Sequence, residues 1–311
     1  MARPTVTLSG DRPSLEERRA ARRQSLAERE AYVTARRARA RERDARRFEL
    51  AEEIAGDTRI RIPREKGFAV FPPGTLAGAD EVAEAANALI DAIGHDRLME
   101  VEATKKTKPY LASGFLEKKK LGLDSPYLRF ALNECVLRAV TAYLGMVPVL
   151  NQLDVWYSVP QVDALVGSQL WHLDHDDTMQ VKVWVHCSDI GPESGPLTAL
   201  DATHSAELAK RIGYDMGTGY RVPDKQLAHY AASDAIVAFE GPRGTVDFVD
   251  TSSCFHFGSR LAPGAPPRRT THFMYVTPYS FNYVDHREQA RFRKLAPEAE
   301  SELQRLVLGA V

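Results

Sequence analysis

The stretch from residue 167 to 197, GSQLWHLDHDDTMQVKVWVHCSDIGPESGPL, constrains the fold more than any other part of the chain. β-Branched and aromatic residues between Gly, Asp and Pro clusters predict short strands here. In a strand alternate side chains share a face, so His172 and Asp174 point one way and Leu173 the other. An imidazole and a carboxylate on one face make half of a site for a divalent first-row metal. A second imidazole would complete a 2-His-1-carboxylate facial triad, which leaves coordination positions open for substrate and O2. His256, within GTVDFVDTSSCFHFGSRLAPGAPPRRTTHFMYV, is the candidate for that ligand.

Composition narrows the setting. With 311 residues, 44% hydrophobic and 27% charged, one large domain with appendages can bury a sizeable core. A formal net charge of −1 gives no global pull toward nucleic acid or a membrane surface. The cysteines are Cys135, Cys187 and Cys254, without paired spacing, which argues against a disulfide framework and for a reducing cytoplasm. No apolar run approaches the ~20 residues of a membrane span, and the Arg-rich start lacks the pattern of a secretory leader. The expectation is a soluble cytoplasmic protein.

Residues 1–13 carry Pro and Gly without periodicity and read as a loose arm. From Ser14 to about Ala55 the chain is rich in Ala, Arg and Glu, and Ser14 with Glu17 forms a capping-box pattern, so one long helix is predicted. Between Ser14 and Leu50 there are 12 Arg against 7 Asp and Glu. Interspersed acids, few aromatics and no DNA-binding motif argue for a solvated helix or a homo-oligomer contact rather than a nucleic-acid arm. The domain boundary is therefore drawn between 1–56 and 57–311.

Alternation through residues 57–75 predicts the first strands. Residues 80–93 place Val82, Ala85, Ala86, Leu89, Ile90 and Ile93 on one helical stripe; residues 126–144 do the same with Leu128, Leu132, Val136, Ala139, Val140 and Tyr143. Between them, residues 103–120 hold six Lys and read as a surface loop that can reach the rim of a site or attract an anion. Strands follow at 149–159, 168–174, 179–187, 196–200, 234–240, 244–250 and 268–276, and a charged helix at 286–310 closes the chain. Helices before a meander of short strands imply an α+β chain whose core is a jelly-roll or cupin-like double-stranded β-helix with flanking helices.

The combination of WHLDHDD, a following apolar strand, DIGPESGPL, GTVDFVDTSSCFH and a later Arg resembles the phytanoyl-CoA dioxygenase-like family of Fe(II)- and 2-oxoglutarate-dependent oxygenases. The resemblance runs from about Gly67, where KGFAVFPPGTL is similar to the family's opening strand, to Tyr275. It implies that His172, Asp174 and His256 bind iron and that Arg268 clamps the distal carboxylate of 2-oxoglutarate. That role suits Arg, whose planar fork binds a carboxylate through two hydrogen bonds. Only one of Arg268 and Arg269 can point inward from a strand, and the family's spacing to the aromatic Tyr275 favours Arg268. Gln152, Trp156, Ser158, Gln169 and Lys182 lie on strands from which the family draws contacts to 2-oxoglutarate and substrate, and His272 shares the parity of Arg268. The implied reaction hydroxylates, desaturates or cyclises a small molecule with O2 and releases succinate and CO2. Asp174 favours oxygenation over halogenation, where the family replaces the carboxylate.

His175, Asp176 and Asp177 read as loop residues or supports of the site, His186 and His204 as structural, Cys135 as core, and Cys254 as close to the metal. Rival readings are a zinc-dependent hydrolase, which needs more His at close spacing, and a non-enzymatic cupin-like binding protein. Substrate choice is expected from the loops at 103–125, 159–167 and 205–233.

Overall fold

The computed structural model describes residues 44–310 except 57, 106–107, 162–164, 215–220, 231–232 and 281–291, together with residues 28, 31, 34, 35 and 38. The expected arm at 1–13 and most of the helix at Ser14–Ala55, with its suggested role in oligomer formation, lie outside the described residues. The described part of that helix, α1 (Ala45–Ile54), begins after a turn at Asp44 and buries Arg47, Ala51 and Ile54. The Arg47 guanidinium donates to the carbonyls of Val147, Pro148, Leu306 and Ala310. These bonds give the buried guanidinium its partners and tie α1 to both the middle and the end of the chain.

Helix α2 (Ala79–Ile93) buries Ala79, Val82, Ala83, Ala86 and Ile90, one stripe of a 3.6-residue period. It leads into α3 (His95–Lys105). The segment 126–144 forms two helices rather than one. Ser125 accepts from Leu128 N at the start of α4 (Pro126–Ala131). Asn133 then accepts from Cys135 N and Val136 N and starts α5 (Glu134–Leu144), which stops at Gly145 with φ 68°. A capping side chain in the middle of an apolar stripe thus overrides the periodicity.

The strands are β1 (Phe68–Phe71), β2 (Leu111–Ala112), β3 (Val149–Ser158), β4 (Gln180–His186), β5 (Thr198–Leu200), β6 (Ile236–Ala238), β7 (Val246–Val249), β8 (His256–Phe257) and β9 (Arg268–Val276). A six-stranded sheet runs β1-β7-β4-β9-β3-β2 and a three-stranded sheet runs β6-β5-β8, with every pairing antiparallel. Residues 58–67 form turns, bends and coil, so the strand begins later than the alternation predicts. Three stretches expected to be loops or one helix carry other elements. The 103–125 segment holds β2, and 205–233 holds the rest of α6 (Ala202–Ile212) and α7 (Asp224–Tyr230). The end of the chain has a 3-10 turn at Ala296–Glu298 and a short α8 (Glu302–Val307), because Pro297 and the Ser301 cap break it into pieces.

The large sheet is buried on both faces. Leu153, Val155, Val181, Val183, Val185, Val246, Phe248, Phe273 and Tyr275 pack with Val82, Ala86, Ile90, Val136 and Val140 of the helices. On the other face Phe68, Trp184 and Val249 meet Ala199, Phe239 and Cys254 from the small-sheet side. The order is helices, large sheet, small sheet, and the polar residues of interest lie between the two sheets. No described helix is long and apolar enough to cross a membrane.

Candidate metal centre

His172 and His256 face each other through a reciprocal backbone pair, each N–H donating to the other's carbonyl at 3.0 Å. That isolated antiparallel bridge places His172 beside β8 and sets the two imidazoles side by side, with ring centroids 4.3 Å apart. Each Nδ1 is 2.8–2.9 Å from a local carbonyl, Leu170 O for His172 and Cys254 O for His256. A protonated Nδ1 donates there, which leaves Nε2 of each ring as the ligand atom. Asp174 N donates to Thr251 O at 2.8 Å and brings the carboxylate to the same point. Its Oδ1 lies 3.7 Å from His172 Nε2 and its Oδ2 3.5 Å from His256 Nε2. Among the described residues, these three form the one cluster of His, Cys, Asp and Glu whose ligand atoms all lie within 4.8 Å of one another.

The protonation states suit a cation. Burial, reinforced by His256, pushes His172 well below the usual histidine range, and burial likewise lowers His256. Burial alone would raise Asp174, but Lys182 and the two histidines hold it well below the usual carboxylate range. Two neutral imidazoles and one carboxylate are the forms that ligate metal. Lys182 Nζ donates to Asp174 Oδ2 at 2.6 Å, and Gln180 Nε2 bonds Thr251 Oγ1 at 2.7 Å while reaching Asp174 Oδ2 at 3.4 Å. These contacts fix the orientation of the carboxylate.

Across the gap, β9 presents Arg268, Thr270 and His272 toward the small sheet. The opposite parity carries Thr271, Phe273 and Tyr275 into the helix-facing layer. Arg269 shares that outer parity: its guanidinium lies 3.2 Å from Asn87 Oδ1 and 2.8 Å from Asp91 Oδ1. Arg268 is 5% exposed. Its NH1 donates to Gly195 O, and its NH2 to Ser259 Oγ at 2.7 Å and Ser158 Oγ at 3.4 Å. Its Nε has no hydrogen-bond partner among the described residues. Burial lowers the guanidinium to about 10, with Asp247 and Tyr110 acting against the shift, so it stays charged at neutral pH. The two serine hydroxyls that accept from it lie 3.2 Å apart, so one donates to the other and one proton remains for an incoming anion. Arg268, Ser259, Lys108, Lys182 and the three-residue cluster all line one cleft.

The other residues singled out from sequence are distributed unevenly. Trp156 lines the cleft and lies against His272 at 4.7 Å between ring centroids; Trp184 is 5.7 Å from the same ring and 6.4 Å from Trp156, so the three rings form one cluster. His272 is 2% exposed, burial pushes it well below the usual histidine range, and neither ring nitrogen has a partner among the described residues. Gln152 sits opposite Met274, beyond the residues that line the cleft. Gln169 Nε2 donates to Ser259 O at 2.9 Å and so steadies the arginine's partner. Asp177 ties the end of β9, accepting from Thr277 N and Oγ1. His175 stacks on Tyr214, and His204 pairs with Asp201 at the start of α6. Cys254 contributes its carbonyl to His256 while its thiol faces Lys66 O. His186, expected from sequence to be structural, lines the cleft with Asp247, 2.6 Å away. Strand parity with Lys182 and Trp184 was the signal for His186, and a lone acid inside the apolar strand VDFV was the signal for Asp247.

No family model matches the chain, and no curated protein sequence does. Among solved structures the chain is similar to EctD from S. alaskensis with bound Fe, at 20% identity and a TM-score of 0.48, covering 68% of this chain and 73% of that one. It is similar to AviO1 from Streptomyces viridochromogenes, at 17% identity and a TM-score of 0.45, over 70% of this chain and 92% of that one. It is also similar to HygX from Streptomyces hygroscopicus with nickel and 2-oxoglutarate bound, at 18% identity and a TM-score of 0.42, over 68% and 83% of the two chains.

Proposed function

We propose that the chain is an Fe(II)- and 2-oxoglutarate-dependent oxygenase of the phytanoyl-CoA dioxygenase-like type, built on a double-stranded β-helix and acting on a small-molecule substrate. One observation carries the reading. His172, Asp174 and His256 converge at one end of a cleft whose other end is a buried arginine with an unpartnered Nε. The donor set fits a divalent iron, with two neutral imidazoles and one carboxylate. The arginine and its two serines fit a carboxylate at a distance from that metal. When bound, iron and 2-oxoglutarate supply the oxidising chemistry, with succinate and CO2 as by-products and hydroxylation, desaturation or ring closure of the substrate as the result.

The protein's own contributions follow from its geometry. His172 and His256 present Nε2 because their Nδ1 atoms are engaged by backbone. Lys182 holds Asp174 by Oδ2, which keeps the carboxylate oriented beside the two imidazoles. Arg268 positions the distal carboxylate, and Ser158 and Ser259 orient the guanidinium. Trp156, Trp184 and Leu197 wall the cleft and limit water at the reacting end.

The test is an anaerobic titration of the iron-loaded protein with 2-oxoglutarate, followed by its metal-to-ligand absorbance and then by succinate release on admitting O2. The expected result is a saturable visible band and succinate formation that requires both iron and 2-oxoglutarate. A zinc-dependent hydrolysis indifferent to 2-oxoglutarate would overturn the reading. A panel of amino acids, acyl thioesters, sugars and natural-product cores, scored for stimulated succinate release, identifies the substrate.

A further inference from the structure

A row of buried polar atoms without partners crosses the cleft on the large sheet. His186 ends β4 and Thr270 lies directly opposite it on β9. Arg268 is two residues along the same face, and Asp247 lies on β7, the neighbour of β4 on its other side. His186 Nε2 and Asp247 Oδ2 are 2.6 Å apart, with each side chain 2% exposed. Among the described residues His186 Nδ1, Asp247 Oδ1, Thr270 Oγ1 and Arg268 Nε lack any hydrogen-bond partner, and all four residues line the cleft. Leaving a buried polar atom unpaired is costly. Several in one row mark a place shaped for a polar ligand.

Charge decides what must accompany that ligand. Burial raises Asp247, with His186 and Arg268 acting against that shift, and an ionised Asp247 offsets the charge of Arg268. A carboxylate docking on Arg268 adds a second negative charge to a buried site that has one cation. Such an imbalance is relieved by moving a proton, because an uncompensated charge is far costlier in the interior than in water. His186 can take it. Its Nε2 is already engaged with Asp247, and a proton on Nδ1 turns that orphan acceptor into a donor.

We propose that the His186–Asp247 pair takes up one proton from solvent when the distal carboxylate of 2-oxoglutarate docks on Arg268, so that cosubstrate binding is proton-coupled. The inference rests on the function proposed above. His186 and Asp247 are positioning residues: they set the charge that Arg268 offers and touch none of the three residues assigned to iron. The charges around the pair are few. Arg268 faces it from β9 and is itself acted on by Tyr110. Lys182, four residues back on β4, is held by Asp174, and Lys108 stands on the cleft wall. On the outer surface Asp189 accepts from Arg243 N, and the Arg243 guanidinium pairs with Glu84. Arg269 pairs with Asp91 on the far face of the sheet.

The sign follows from linkage. A bound state that holds one more proton than the free state binds best at low pH, and above the pH at which the empty pair loses its proton the Kd rises by up to about tenfold per pH unit. The experiment is anaerobic calorimetry of 2-oxoglutarate binding to the full iron-loaded chain, in buffers of different ionisation enthalpy, between about pH 6 and 9. Uptake approaching one proton per 2-oxoglutarate is expected. Asp247→Asn removes the competing charge while keeping the shape, and should bind with little proton uptake and a flat pH profile. His186→Gln should flatten the profile as well, and it serves if the first variant does not fold. Wild-type binding without proton uptake, or uptake and slope preserved in a folded variant, overturns the inference. Failure of the wild type to bind 2-oxoglutarate at any pH overturns the cosubstrate reading itself, and this inference with it.

Discussion

At the scale of single residues, Arg268 and Arg269 make the clearest contrast, because adjacent positions of β9 look to opposite sides of one sheet. On the proposed assignment, Arg268→Ala leaves the distal carboxylate buried without its partner, an effect of about 3–5 kcal/mol. At about 1.4 kcal/mol per tenfold, the affinity for 2-oxoglutarate falls by a factor on the order of hundreds or more. Arg268→Lys restores part of it, since a point charge cannot reproduce the fork. Arg269→Ala should leave the titration nearly unchanged, because its partners Asn87 and Asp91 are on the helix side. A large loss at Arg269 with none at Arg268 would reassign the clamp. The parity that separates the two arginines is legible in the sequence, because a strand has a fixed period. The pairing of His186 with Asp247 is not, because it depends on which strands become neighbours and in what register, and nothing local to either residue records that.

Secondary-structure elements show a different limit. The apolar stripe of residues 126–144 is legible, but its division at Asn133 depends on a cap competing with helix continuation. Asn133→Ala removes the acceptor for Cys135 N and Val136 N and should cost about 1 kcal/mol in thermal or denaturant unfolding. A loss near zero would show that the helix junction is held by packing alone. Gly195 is the more demanding position. At φ 62° an added Cβ would lie 2.7 Å from the backbone of Arg260, while the Gly195 carbonyl accepts from Arg268. Gly195→Ala should therefore cost more than about 1 kcal/mol and weaken 2-oxoglutarate binding as well. Loss of stability with unaltered binding would separate the turn from the clamp. Short elements were the hardest to place: β8 has two residues, and its register comes from long-range partners rather than from any pattern of its own.

For the whole molecule the helical and β-rich halves were evident from period and composition, whereas the two-sheet layering emerged only from the pairing of distant strands. Acid–base balance is also a property at this scale. Burial pushes Asp177 up from an ordinary 3.8 to about 7, against the hydrogen bonds it accepts from Thr277 and Thr178. A raised acid contributes stability that is complete below its unfolded value and is lost as pH climbs through its folded one. Between about pH 4 and pH 7 this residue should lower stability by up to about 1.4 kcal/mol per unit. Denaturant unfolding of Asp177→Asn beside the wild type should show the difference moving in favour of the variant across that range and levelling above it; a constant difference would contradict the assignment. The layering has one more consequence. His256 belongs to the small sheet and Arg268 to the large one; both line one cleft, and Phe68, Trp184, Ala199 and Phe239 pack one sheet against the other. On the proposed assignment, those side chains act as the spacer of a gauge. The length of keto diacid the site accepts is then set by the thickness of hydrocarbon between two sheets, and a single methyl group added at Ala199 is a graduation on that scale.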